Sequence, residues 1–129
     1  MTNECKKCAC NANEIMVFPC SGGSNCGQIA NKVAVDMTED GVCAMYCLAG
    51  IGANIPSMIE SAKAAKHVVA IDGCSIGCAK KILEHAGLTV TDYIDLAKEG
   101  LIKNTNFNLS QQEVFFITKV IKQKLNKEK

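Results

Sequence analysis

The 129-residue sequence has no arginine and no tryptophan, and its other large rings are four Phe and two Tyr. Without arginine there is no planar bidentate fork for phosphate or for guanine edges. With so few rings there is little on which to stack bases. Nucleic acid is therefore not an expected partner. Charge of either sign is also not in excess: 14 lysines against 13 acidic residues leave a formal net charge of +1. No apolar run approaches the ~18 residues of a membrane span, so no membrane partner is expected. The first residues, MTNECKKCACN, lack the apolar stretch of an export signal.

What the chain has in quantity is cysteine, nine in all. An odd number without an export signal points to a reducing compartment, with thiols kept for metal or redox work, and a cytoplasmic location is expected. A disulfide scaffold would be smaller and less able to form its own core. This chain, 48% hydrophobic and 21% charged, is long enough to bury one. Residues 1–13, with Cys5, Cys8 and Cys10 in a C-x2-C-x-C pattern, have neither helical nor strand period and read as a flexible tail. Residues 14–129 read as a single domain. The tail thiols suit a second metal, an extra ligand for the main site, or no site at all.

The domain alternates strand and helix. EIMVFPC (14–20) reads as a strand, SGGSN as a turn with Ser24 or Asn25 as helix cap, and the next helix aligns Ile29, Val33 and Met37 before stopping near Gly41. VCAMYC (42–47) is a second strand and LAGIGANIP a glycine-bearing loop. Pro56 opens a helix with Met58, Ile59, Ala62 and Ala65 inward. VVAI (68–71) is a continuous apolar strand, suited to a sheet covered on both faces. A helix running to Gly87 follows it. LTVTDYIDL (88–96) gives a fourth strand, and residues 98–107 are irregular. Ser110 and Glu113 form a capping box, Leu109 and Val114 a hydrophobic staple, ahead of a last helix with Val114, Ile117, Ile121 and Leu125 buried. The expected fold is a three-layer α/β domain, Rossmann-like, with a mainly parallel sheet of about four strands and helices on both faces.

Such sheets bind ligands at the carboxyl ends of their strands. Cys20 and Cys47 each close an expected strand, Cys74 follows the third within a few residues, and Cys78 lies a turn beyond. Cys74 is expected at or near the helix start, where the dipole eases ionisation of a thiol. Four converging thiolates suit a closed zinc site or, second, an iron–sulfur cluster. A redox pair built on Cys74 is the other reading. Cys43, inside a strand, reads as core or as a partner to Cys47, and Cys26 as packing or an extra ligand. His67 and His85 read as solvent-facing. Asp72 either caps the helix or tunes the thiols beside it.

SGGSNCGQ lacks the lysine and Ser/Thr of a nucleotide-triphosphate loop. With no arginine to follow a cysteine, a thiol phosphatase is excluded as well. GIGANIP lacks the third glycine of a dinucleotide fingerprint. These glycines are expected to let backbone pass close to the cysteine site.

Three blocks carry a family resemblance: CSGGSN with GQIAN (20–31), MYCLAGIGANIP (45–56) and AIDGCSIGCAKKILEHAG (70–87). The chain resembles the DGC-domain family, named for Asp-Gly-Cys, here Asp72, Gly73 and Cys74, and described as zinc-binding on the strength of its cysteines. The resemblance implies zinc chelation by Cys20, Cys47, Cys74 and Cys78 and implies no reaction. Cys26 and Cys43 fall where the family pattern has other small or aliphatic residues, which leaves a redox or cluster role open. The sequence thus supports a zinc-binding protein with a cysteine-thiolate site at the carboxyl edge of a parallel sheet. The alternative is a thiol-based redox, sulfur- or metalloid-handling enzyme or carrier, with Cys74 as nucleophile and Cys78 or Cys20 as its partner.

Overall fold

A strand that is apolar at every position needs cover on both sides, and β1 (Ile15–Pro19) has it: Ile15 and Val17 enter one core, Met16 and Phe18 the other. The computed structural model describes residues 15–127. The segment with Cys5, Cys8 and Cys10, expected as a tail, lies outside the described residues.

After β1 the chain forms α1 (Asn25–Glu39), β2 (Ala44–Met45), α2 (Leu48–Gly52), α3 (Pro56–Lys63), β3 (His67–Asp72), α4 (Cys78–His85), β4 (Asp92–Asp95) and α5 (Gln111–Lys127). The strands form an all-parallel sheet in the order β2-β1-β3-β4, with Met16 opposite Ala44, Val17 opposite Val69, and Asp72 opposite Asp95. On one face, Ile29, Val33 and Met37 of α1 and Ile117, Ile121 and Leu125 of α5 close over Val17, Val69, Ile71 and Ile94. On the other, Ile51 of α2, Ala62 of α3, and Ala79 and Leu83 of α4 close over Phe18, Val68 and Ala70. This is the three-layer parallel α/β architecture expected from the sequence.

Several boundaries differ, each for a local reason. β2 is two residues long because the chain before it and its own last residue are tied to α1: Val42 N donates to Met37 O at 3.0 Å, and Met45 N to Thr38 Oγ1 at 2.9 Å. The loop expected after β2 contains the short helix α2, and a Cβ at Gly50 would overlap Met58 of α3. β4 begins at Asp92, not Leu88, because the Thr91 hydroxyl takes the Val68 N–H at 2.9 Å and leads the chain into the ladder. Gly87 ends α4 as expected: its φ is +86°, and Leu88 N donates to Leu83 O at 3.0 Å, the long backward bond of a Schellman motif. Glu113 N donates to Ser110 Oγ at 3.2 Å, the expected cap of α5. Pro56 occupies the first turn of α3.

Candidate functional site: a thiol cavity at the switch point of the sheet

In the order β2-β1-β3-β4 the chain leaves β1 toward α1 on one face and leaves β3 toward α4 on the other. The crevice between these two departing loops is the topological switch point, where open α/β sheets bind ligands. Here it holds a cavity of about 180 Å³ with Cys20, Cys74, Cys78, Asp72 and Lys103 on its wall. A larger groove of about 330 Å³ lies between α2 and α4 around Ile51, Lys81 and His85, but no cysteine lines it. We take the smaller cavity as the site because reactive groups from separate segments converge there.

Glycines bring those segments together. A Cβ at Gly73 would stand 2.7 Å from Gly27 N and 2.8 Å from Cys26 C, and one at Gly27 would stand 2.7 Å from Gly22 N. Each distance is too short for a real side chain, so the loop after β3, the first turn of α1 and the loop after β1 touch through bare backbone. The expectation that the glycines serve close approach at the cysteine site holds for Gly27 against Gly22, whereas Gly23 meets nothing within 4 Å and Gly50 and Gly52 pack toward Met58 and Ile82. Ser24 caps α1 with extended backbone, its Oγ accepting from Gly27 N at 3.1 Å.

The Cys74–Cys78 loop differs from the expectation. Cys74 is not in the first turn of α4. It lies in the turn before the helix, and Cys78 is the first helical residue. Gly77, left-handed at φ +72°, separates the two and is the N-cap, but it has no side chain with which to cap. Asp72 does that work from the end of β3. Buried at 1% exposure, its Oδ1 accepts from Ala79 N at 2.7 Å and its Oδ2 from Lys80 N at 3.1 Å and Tyr93 OH at 3.0 Å. Burial, and then the charge and hydrogen bond of Asp72, push the Tyr93 hydroxyl above its ordinary value and keep it a donor. Asp95, at the end of β4, accepts from Ser75 Oγ at 3.1 Å and Ala97 N at 2.9 Å. Two carboxylates thus hold the loop from neighbouring strands.

Lys103 Nζ donates to Cys74 Sγ at 3.5 Å. It comes from the segment after β4, which is bound to the start of α1 through Asn25. The irregular stretch expected over residues 98–107 therefore delivers a cation to the thiol. Nothing in the sequence singled Lys103 out, and Asn25 was a cap candidate alone; a separation of 29 residues between Cys74 and Lys103 leaves no local pattern to read.

Of the four cysteines expected to converge, three share the cavity. Cys20 and Cys74 are half-buried and Cys78 is exposed. Cys47 is exposed at the start of α2 and is not among the residues lining the cavity. It follows β2, which pairs with the side of β1 away from β3, two strand spacings or about 10 Å across the sheet. Among the described residues no three His, Cys, Asp or Glu side chains stand close enough together to hold an ion. A closed four-thiolate zinc site, with every sulfur near ~2.3 Å from one point, is therefore not formed by the side chains as they stand.

Among the described residues the other two thiols, Cys26 and Cys43, are interior. Cys43 is buried in the α1 core, where burial raises it to about 11 against a smaller opposing hydrogen bond from Thr38. Cys26 is fully buried behind Gly73, and its thiol is raised by burial and then by the charges of Glu113 and Cys74. His85 is exposed, while His67 is half-buried with Nδ1 3.6 Å from Asp92 Oδ2. Among the described residues no helix is long and apolar enough to cross a membrane.

Fold and site together define a doubly wound parallel α/β domain with thiols at its switch point. Residues 16–121 match the DGC domain, and the chain belongs to that family. It is similar to the anaerobic and virulence modulator AnvM of Pseudomonas aeruginosa, 31% identical over 98 residues that cover 76% of this chain and 75% of AnvM. No solved structure matches it.

Proposed function

We propose that this DGC-domain protein works through a reactive thiol: Cys74 attacks, with Cys78 or Cys20 as its partner, on disulfides or on other sulfur- or metalloid-bearing molecules. The observation that carries this reading is the Lys103–Cys74 contact of 3.5 Å, on the wall of a cavity shared with Cys20 and Cys78. A cation in contact with the sulfur stabilises the negative charge that an attacking sulfur carries. With a small disulfide as substrate, the Cys74 thiolate forms a bond to one sulfur and the other leaves as thiolate. Cys78 or Cys20 then attacks the mixed disulfide at Cys74, releases the second thiolate, and leaves an intramolecular disulfide. Two electrons pass from the protein to the substrate, and two external thiols or one dithiol return them, leaving as a disulfide. The relative AnvM is named as an anaerobic modulator, and a thiol centre is the kind of site that responds to an oxidant or its absence.

Zinc binding by Cys20, Cys47, Cys74 and Cys78 is the second reading, favoured by the three sulfurs that line one cavity. An iron–sulfur cluster would draw on the same thiols. Elemental analysis of freshly purified protein, a visible absorption spectrum of anaerobic material, and alkylation mapped by peptide mass spectrometry separate these readings. The thiol reading expects substoichiometric metal and Cys74 modified ahead of Cys26, Cys43 and Cys47. One zinc per chain, lost in Cys74→Ser, would transfer the conclusion to the zinc reading. Cys74 no more reactive in the folded protein than after denaturation would end the thiol reading.

A further inference from the structure

Three hydrogen bonds tie the backbone on both sides of Lys103 to a single residue. Asn25, the first residue of α1, is 7% exposed. Its N–H donates to Asn104 O at 2.9 Å, its Oδ1 accepts from Asn104 N at 2.6 Å, and its Nδ2 donates to Ile102 O at 2.9 Å. Lys103 lies between those two anchors and is itself exposed. An exposed lysine on a free loop spreads its ammonium over many rotamers and backbone positions. Fixing residues 102 and 104 removes the backbone part of that freedom and leaves the ammonium within reach of Cys74 Sγ. Among the described residues the charged side chains on the cavity wall are Asp72 and Lys103; Asp72 is buried with both oxygens hydrogen-bonded to Ala79, Lys80 and Tyr93, whereas Lys103 is exposed. Of the two, Lys103 is therefore the charged group that an incoming molecule can contact directly.

We propose that Asn25 is a positioning residue that holds Lys103 over Cys74, and that Lys103 so held makes Cys74 select anionic electrophiles over neutral ones. The inference rests on the reading of Cys74 as an attacking thiol and adds what that thiol prefers. An anionic reagent reaching the sulfur comes within about 5 Å of the ammonium, and one unit-charge attraction across that distance of water is worth about fourfold in rate. The preference weakens as salt is added.

Iodoacetate and iodoacetamide make the test, since they differ chiefly in charge. In both, the Cys74 sulfur forms a bond to the methylene carbon as the carbon–iodine bond breaks and iodide leaves. Alkylation of Cys74 is followed by peptide mass spectrometry at low ionic strength, in the wild type and in Lys103→Gln, Lys103→Arg, Asn25→Ala, Asn25→Asp and Asn25→Ala with Lys103→Gln. The ratio of iodoacetate to iodoacetamide rates is expected to fall about fourfold in Lys103→Gln, to survive in Lys103→Arg, and to fall in Asn25→Ala toward the Lys103→Gln value. In the Lys103→Gln background the Asn25 change should add nothing, because Asn25 acts only through the cation. A loss of general structure would also part Lys103 from Cys74, so the ratio is read in variants whose buried Cys26 and Cys43 still resist alkylation. A wild-type ratio in folded Asn25→Ala overturns the positioning role, and an unchanged ratio in Lys103→Gln overturns the selectivity. Should Asn25→Ala not fold, Asn25→Asp compared with Asn25→Asp plus Lys103→Gln decides the positioning role: it keeps the acceptor for Asn104 N, loses the donor to Ile102 O, and brings its own negative charge equally into both backgrounds. A native Cys74 inert to both reagents overturns the thiol reading itself, a result distinct from a reactive Cys74 without charge preference.

Discussion

Replacing Asp72 separates a carboxylate that holds the site together from one that merely lies near it. Its two oxygens receive three donors: the Ala79 and Lys80 backbone N–H groups, which Gly77 cannot cap, and the Tyr93 hydroxyl. In Asp72→Ala two helix-start donors and a half-buried hydroxyl lose their acceptor. Hydrogen bonds to a charged group are worth about 1.5 kcal/mol or more each, and water entering from the adjacent cavity recovers part of that, so the net cost is about 3 kcal/mol. Asp72→Asn is close to isosteric yet not conservative. Its NH2 would occupy the place of one carboxylate oxygen and face a backbone N–H, donor against donor, at a cost of about 2 kcal/mol. Tyr93→Phe removes one of the three bonds and should cost about 1 kcal/mol. Urea unfolding monitored by circular dichroism reads these differences. With a slope of about 2 kcal/mol/M, Asp72→Ala should lower the midpoint by about 1.5 M without changing the slope. A cost below about 1 kcal/mol for Asp72→Ala, or an Asp72→Asn variant as stable as the wild type, would refute the argument that both oxygens are needed as acceptors.

Two further outcomes follow from the packing. Gly73→Ala places a Cβ against Gly27 N and Cys26 C, backbone atoms that cannot rotate aside; it should cost about 2 kcal/mol or more in urea unfolding and loosen the cavity, whereas Gly23→Ala, which meets nothing within 4 Å, should be close to neutral. Cys43, raised from about 9 to about 11 by burial, should resist alkylation until the protein unfolds. Between those values the native thiol keeps a proton that the unfolded chain has released, so stability should fall as pH rises through that window. Urea midpoints at pH 8 and pH 10 check this, and the fall should be smaller in Cys43→Ala.

The layers were legible because the signals for them are short-range. Strand 15–19 and residues 68–71 of the third strand are apolar at every position, Gly87 sits where a left-handed residue must end a helix, and Ser110 stands three residues before Glu113. Placing Cys20 and Cys74 at carboxyl ends of strands brought them to the same edge, and the order β2-β1-β3-β4 makes those two ends neighbours. The same order explains Cys47. A strand-end position says which edge of the sheet a residue occupies but not which strands lie side by side, and β2 pairs with the other side of β1. The start of α4 was misjudged because Gly77 reads in a sequence as one more small residue, while in the fold it is left-handed and breaks the run between Cys74 and Cys78.

Lys103 marks where residue patterns stop being informative. The chain has 14 lysines and a net charge of +1, so neither count nor balance selects one of them for the cavity. Nor does the sheet, which ends at Asp95, eight residues before Lys103. What selects it is that the segment following β4 returns across the start of α1 before entering α5, and that a buried asparagine there satisfies its own amide by gripping residues 102 and 104. A buried amide is costly unless hydrogen-bonded. The clamp that stabilises the entry to α1 is thus the same set of bonds that carries the cation to the thiol, and a change at Asn25 cannot loosen one without displacing the other.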